Sequence, residues 1–148
     1  MASGFLILQD GRCLAVRYAL HDAVLRSVAE HLPASDPLGD WLRRQVPGEG
    51  DQEVGYGFVR PDGEQVVRSL DVRGLTAENR RRFVAAAGSC RPSPVARAPT
   101  KDVEACLHRL RLMLGAVERG EPPLALSDWR AVAPPCTDRI GPGWSEPA

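Results

Sequence analysis

The sequence predicts an α+β fold in which two β-hairpins form a four-stranded antiparallel sheet packed with about four helices. Two turn sequences near residues 10 and 62 each separate short segments of strand-like composition. Stripes of apolar residues with the period of a helix follow each hairpin, and the longest covers residues 101–119. Strands and helices do not alternate one by one along the chain. Because a doubly wound nucleotide-binding sheet requires that alternation, we do not expect this fold.

The first hairpin is predicted at Asp10-Gly11, the dipeptide that most favours a two-residue type I′ turn. Its strands are residues 5–9 and 12–18. Leu14, Val16 and Tyr18 alternate with smaller or polar residues, and this period of two places them on the core face.

Two helices are expected after this hairpin. The first ends at Pro33 and carries an apolar stripe formed by Leu20, Val24, Leu25, Val28 and Leu32. Asp36-Pro37 then combines a capping residue with proline at the first helical position. A short amphipathic helix containing Trp41 should follow.

A second hairpin is predicted around Arg60-Pro61-Asp62-Gly63, where proline suits an early turn position and glycine a left-handed one. Its strands would be residues 53–59 and 64–73. Gly55 and Gly57 weaken the first strand, which suggests an edge, a bulge or the close approach of another group.

The last two helices have recognisable ends. Thr76 is placed to cap the third helix and Thr100 the fourth, and Gly120 supplies a left-handed stop. The fourth helix has the clearest apolar stripe, made of Val103, Cys106, Leu107, Leu110, Met113, Leu114 and Val117. That stripe must be buried.

A chain of 148 residues with formal net charge zero predicts one globular domain over residues 1–133 and a proline- and glycine-rich tail over 134–148. No segment has the length or apolar character of a signal peptide or membrane span. Abundant arginine, alanine and glycine indicate a GC-rich bacterial genome. We expect a cytoplasmic protein whose four cysteines, Cys13, Cys90, Cys106 and Cys136, are free thiols.

No sequence pattern for a nucleophile, a phosphate-binding loop or a metal site is present, so we expect no enzymatic activity, no cofactor and no metal. Two alternatives stay open. Tyr18, His21 and Asp22, at the junction of the first hairpin and helix, could form the site of a small enzyme or ligand-binding domain. A nucleic-acid adaptor could instead use the arginine pairs and runs at 43–44, 80–82 and 109/111.

The acidic loop at residues 48–53 offers another kind of site. Glu49, Asp51 and Glu53 have no basic residue between them, and could enter a cationic cleft on another protein, with Trp41 as an anchor nearby. In size, in α+β order and in the lack of a reaction motif, the chain resembles the small immunity proteins that neutralise interbacterial toxins. The resemblance implies a cognate toxin as partner and occlusion of the toxin's active site.

Overall fold

The computed structural model describes residues 3–55, 57–121 and 131–132 and confirms the α+β class. The predicted tail at 134–148 lies outside the described residues. The elements in chain order are β1 (Ser3–Ile7), β2 (Cys13–Arg17), α1 (Tyr18–His31), α2 (Pro37–Arg44), β3 (Gln52–Val54), β4 (Gly57–Val59), β5 (Gln65–Val67), β6 (Ser69–Asp71), α3 (Ala77–Ser89), α4 (Thr100–Glu118) and β7 (Ala131–Val132). A single 3-10 turn, Val72–Gly74, joins β6 to the loop before α3.

The predicted single four-stranded antiparallel sheet is wrong, because the two hairpins lie in different sheets. The first sheet has the order β6-β1-β2 with the two-residue β7 at its edge, and the second has the order β3-β4-β5. The first sheet is also mixed, since β1 and β6 run parallel.

The change of sheet occurs at Arg68. The predicted strand over residues 64–73 divides there, so that β5 pairs with β4 while β6 pairs with β1. The parallel pairing begins with a bond of 2.9 Å from the Phe5 amide to the Arg68 carbonyl. A side chain as large and charged as that of Arg68 needs partners when it is buried, and it finds them in Asp22 of α1 and Glu53 of β3.

The predicted strand over residues 53–59 also divides, into β3 and β4. Gly55 has φ of +50° and turns the chain between them. At Gly57 a Cβ would overlap the backbone of Val66 on β5. The close approach that the glycine suggested is therefore confirmed for Gly57.

The first hairpin forms, but its turn is not type I′. Described residues with positive φ are all glycine, so Asp10 does not adopt the left-handed conformation that a type I′ turn requires. Instead the Gly11 amide donates to the Leu8 carbonyl at 2.9 Å, and Gly11 itself takes φ of +88°. The Asp10 carboxylate accepts from the Arg12 amide, which stabilises this longer turn.

The helix ends agree with the sequence at α2 and α3. Asp36 accepts from the Leu38 amide and Thr76 from the Asn79 amide. The expectation for Thr100 is wrong, since α4 begins after Pro99 without a side-chain cap. Gly120 has φ of +66°, as a left-handed stop requires.

The main core lies between the helices and one face of the first sheet. It combines Leu6, Leu14 and Val16 with the apolar stripes of α1 and α4. Each fully buried side chain of this kind contributes about 1.5–3 kcal/mol. The opposite face forms a smaller buried cluster of Phe5, Ile7, Cys13 and Ala15, with Val67 packed against it.

Candidate functional site

Arg68 is the centre of a charged cluster at the junction of the two sheets and α1. Its side chain is completely buried, and its Nε and Nη2 lie 3.0 Å from the two carboxylate oxygens of Asp22. Nη2 also donates to Glu53 at 2.9 Å. The guanidinium lies over the Tyr18 ring, 3.9 Å from its centroid. Such a bidentate, stacked arrangement suits arginine and would not be reproduced by lysine.

His21 lies behind this cluster. It is completely buried, and its Nδ1 is 3.3 Å from Oδ1 of Asp22. Because Asp22 accepts from Arg68 as a carboxylate, we assign the ring proton to Nδ1, which donates to it. Nε2 has no hydrogen-bond partner among the described residues. The ring packs so closely on Gly4 that a Cβ at that position would overlap it.

The Asp22 carboxyl is held in its ionised form. Burial by itself would raise the pKa of Asp22, but hydrogen bonds from His21 and Arg68 and the charge of Arg68 lower it further than burial raises it. The resulting pKa lies below the usual 3.8. The carboxylate is therefore charged at neutral pH. Both of its oxygens already lie within hydrogen-bond distance of Arg68 or His21.

A cleft of about 480 Å³ opens beside this cluster. Its walls come from the N-terminal half of α1, from the loop after α2 with the adjoining strand β3, and from the connector before α4. The lining residues are Tyr18, Ala19, Asp22, Ala23, Arg26, Val46, Pro47, Gly48, Asp51, Glu53, Val95, Ala96 and Arg97. Tyr18 and Asp22 thus meet at the cleft, as the ligand-binding alternative requires, whereas His21 is not among its lining residues.

A second cleft of about 340 Å³ adjoins the first. The two share Ala19 and Arg97 as lining residues. Arg17 lines the second cleft, and Asp102 of α4 lines it as well.

The carboxylates of the first cleft are all paired with arginine. Asp22 and Glu53 bind Arg68, and Asp51 binds Arg60 at 3.3 Å while also accepting from the Gly48 amide at 2.7 Å. By contrast, three cationic residues that line the two clefts have no ion-pair partner among the described residues. Arg17, Arg26 and Arg97 form no ion pair or side-chain hydrogen bond with any residue in the described part of the chain. At the first cleft, the charges without an ion-pair partner among the described residues are therefore positive.

The acidic loop offers less charge to a partner than its sequence suggested. Only 3% of the Asp51 side chain is exposed, and Glu53 is exposed but bound to Arg68. Glu49 is exposed. Trp41 packs in the main core with 2% of its surface exposed, so its ring is not offered to a partner.

The arginines of the nucleic-acid alternative are distributed over three helices. Several of them bind the protein's own backbone: Arg80 donates to the Val72 carbonyl, Arg43 to that of Ala29 and Arg111 to those of Ala87 and Cys90. Arg82 forms an ion pair with Asp36. These bonds join α3 to the turn before it, α2 to α1, and α4 to α3.

The cysteines differ from the expectation of free thiols. Cys90 and Cys106 are free and buried, and burial raises the pKa of Cys106 to about 12. Cys13 is disulfide-bonded, so the expectation is wrong for this residue. Cys136 lies outside the described residues. Among the residues that the structure describes, no group of three or more His, Cys, Asp or Glu side chains is arranged to hold a metal ion.

No described helix is both long enough and apolar enough to cross a membrane. Comparisons of the chain with protein-family models, with curated proteins and with solved structures found no match.

Proposed function

We propose that the protein is a bacterial binding module that acts by holding a partner protein, and specifically an immunity protein that occludes the active site of a cognate toxin. The observation that supports this most is the distribution of charge at the cleft: its carboxylates are bound by Arg68 and Arg60, while Arg26 and Arg97 at its walls have no partner among the described residues. Unpaired guanidinium groups beside apolar surface suit recognition of another molecule.

The same geometry favours binding over proton transfer. A general acid or base must reach the substrate directly or through one water molecule. His21 is completely buried, and Asp22 is held as a carboxylate by Arg68. The groups that the sequence offered for acid-base chemistry therefore act within the fold in our proposal, and the protein is not an enzyme.

We place the protein in the bacterial cytoplasm. The disulfide at Cys13 is the observation that opposes this placement, since disulfides are rare in reducing compartments. Alkylation of the thiols in freshly lysed cells distinguishes a cytoplasmic location from an oxidising compartment. After denaturation, Cys13 should be alkylated without prior reduction if the protein resides in the cytoplasm, and blocked by its disulfide if it resides in an oxidising compartment.

Co-expression with the product of the adjacent gene tests the immunity proposal. We expect suppression of that product's toxicity and a stable equimolar complex in size-exclusion chromatography with light scattering. An unrelated toxin serves as the control and should remain toxic. If the product of the adjacent gene stays toxic and no complex elutes, the immunity proposal is wrong.

A second candidate function is the binding of a small anionic molecule. The cleft volume of about 480 Å³ falls within the range of small-ligand pockets, roughly 300–1,000 Å³. Tyr18 and Asp22 line it, as this alternative requires. Isothermal titration with dicarboxylates and phosphorylated metabolites tests it, and saturable one-to-one binding that Arg97→Glu abolishes would favour this function over the first.

A further inference from the structure

The two clefts share Ala19 and Arg97, and three cationic side chains line them: Arg26 on α1, Arg97 on the connector and Arg17 at the end of β2. We call this pair of clefts the arginine channel. Arg97 lines both clefts and so joins the two halves. No described residue neutralises any of the three, whereas the acidic groups of the first cleft are paired. Asp102 of α4 lines the second cleft together with Arg17 and Arg97 but forms no ion pair with either.

Apolar side chains line the first cleft together with Arg26 and Arg97. Val46 and Pro47 line the first cleft, and Val95, the residue two before Arg97, is 61% exposed. Val95 is one of only three large hydrophobic side chains exposed among the described residues. An occupant that covers Val95 and neutralises the arginines must carry both apolar and anionic groups.

This combination favours a protein segment over a nucleic acid. Single-stranded nucleic acids are held by aromatic rings on which bases stack. The described aromatic ring in the channel is that of Tyr18, and the guanidinium of Arg68 already covers it at 3.9 Å. The formal net charge of zero also provides no general attraction for a polyanion.

We propose that the arginine channel binds an acidic, partly apolar segment of the partner protein, with carboxylates on Arg26, Arg97 and Arg17 and an apolar side chain on Val95. The inference rests on the proposed binding function and specifies the chemistry of its partner. Guanidinium groups bind carboxylates through paired hydrogen bonds, which add geometric specificity to the attraction of charge. An extended segment could contact the arginines of both clefts at once, since Arg97 lines both.

The test is fluorescence anisotropy with a labelled peptide, Glu-Leu-Glu-Glu-Leu-Glu, blocked at both termini. We expect saturable binding that weakens between about 50 and about 500 mM salt. The peptide with glutamine in place of each glutamate should bind at least about tenfold more weakly. A short single-stranded oligonucleotide is the competing probe, and tighter binding of the oligonucleotide than of the peptide would overturn the inference.

Single substitutions of arginine residues show where the peptide binds. Arg26→Glu and Arg97→Glu should each weaken peptide binding about tenfold or more, and Arg26→Gln and Arg97→Gln by a smaller factor. The matched control is Arg81→Glu, since Arg81 is an exposed arginine of α3 that no described residue binds and that lies outside both clefts. Unchanged circular dichroism establishes that each variant is folded. Equal losses in the control and in the channel variants would overturn the inference.

The outcomes also separate this inference from the proposed function. A complex with the adjacent gene product that survives Arg26→Glu and Arg97→Glu supports the binding function and overturns the arginine channel as its contact surface. Peptide binding that depends on these arginines, without any complex, supports the channel and overturns the pairing with the adjacent gene.

Discussion

Arg68 and Asp22 are 46 positions apart in the chain, yet the guanidinium and the carboxylate meet through two bonds of 3.0 Å. Arg68 sits where the chain passes from the second sheet to the first, and Asp22 lies in the second turn of α1. The pair therefore fixes three elements at one point. It also shapes one wall of the cleft, since Asp22 lines it.

Replacing Arg68 by leucine should destabilise the protein by about 3–5 kcal/mol, because the buried Asp22 carboxylate would lose its counterion. The control is Arg81→Leu, at an exposed arginine without a described partner, which should change the free energy of unfolding by no more than about 0.5 kcal/mol. Urea denaturation measures both. Similar losses in the two variants would show that the Arg68 cluster does not stabilise the fold.

The stability should fall as the solution is acidified. The pKa of Asp22 is lowered in the folded protein, so its contribution is present above the usual value near 3.8 and is lost as the pH falls below it. Asp22→Asn removes this titration. Chemical denaturation at several pH values between about 3 and 6 should therefore show a steeper dependence for the natural protein than for the variant. Parallel curves would contradict the lowered pKa.

Gly4→Ala should destabilise the protein by about 1–3 kcal/mol, because the new methyl group would overlap the His21 ring. Adding His21→Ala makes room for the methyl group, so the loss in the double variant should be smaller than the sum of the two single losses. Gly88→Ala, near the end of α3 where a Cβ meets nothing within 4 Å, is the control. It should be neutral or stabilising by up to about 1 kcal/mol.

The three described cysteines should react differently with iodoacetamide at about pH 8. Thiolate is the reactive form, and the pKa of Cys106 is about 12, so Cys106 should remain unmodified in the folded protein. Cys90 is also buried, and burial raises its pKa. Both should react after denaturation, whereas Cys13 in its disulfide-bonded form should react only after denaturation and reduction together. Peptide mass spectrometry identifies the modified residues, and labelling of folded Cys106 would contradict its burial.

The sequence predicts those parts of the fold that depend on near neighbours. The apolar stripe of α4 and the caps at Asp36 and Thr76 are formed by residues within one or two turns of each other, and all three are confirmed. The first turn shows the limit of local rules. Asp10-Gly11 favours a type I′ turn by itself, but a longer turn with only Gly11 in the left-handed conformation forms instead, and the Asp10 carboxylate stabilises it by binding Arg12.

The separation of the sheets could not be predicted from local patterns. A charged residue within an otherwise apolar strand, as in Val66-Val67-Arg68-Ser69-Leu70, is a sign that a buried partner exists. It does not say where the partner lies. Eighteen arginines are present, and nothing in the sequence connects Arg68 to Asp22.

The candidate site was predicted in part. The junction of β2 and α1 drew attention to Tyr18 and Asp22, which do line the cleft. Arg97 was missed because it lies in a proline-containing connector without periodicity, and Arg26 because it is one of many arginines on a helix. The signal that distinguishes them is the absence of an ion-pair partner among the described residues, and this requires the fold.

The most direct test of the account is amide NMR of the ¹⁵N-labelled protein titrated with the blocked Glu-Leu-Glu-Glu-Leu-Glu peptide. We predict that the shift changes concentrate at residues 17–26, 46–53 and 95–99, which line the two clefts, and that α3 is unaffected. Shift changes confined to α3 or to the outer surface of α4, with the amides of Arg26 and Arg97 unmoved, would contradict the claim that this protein recognises its partner through the arginine channel.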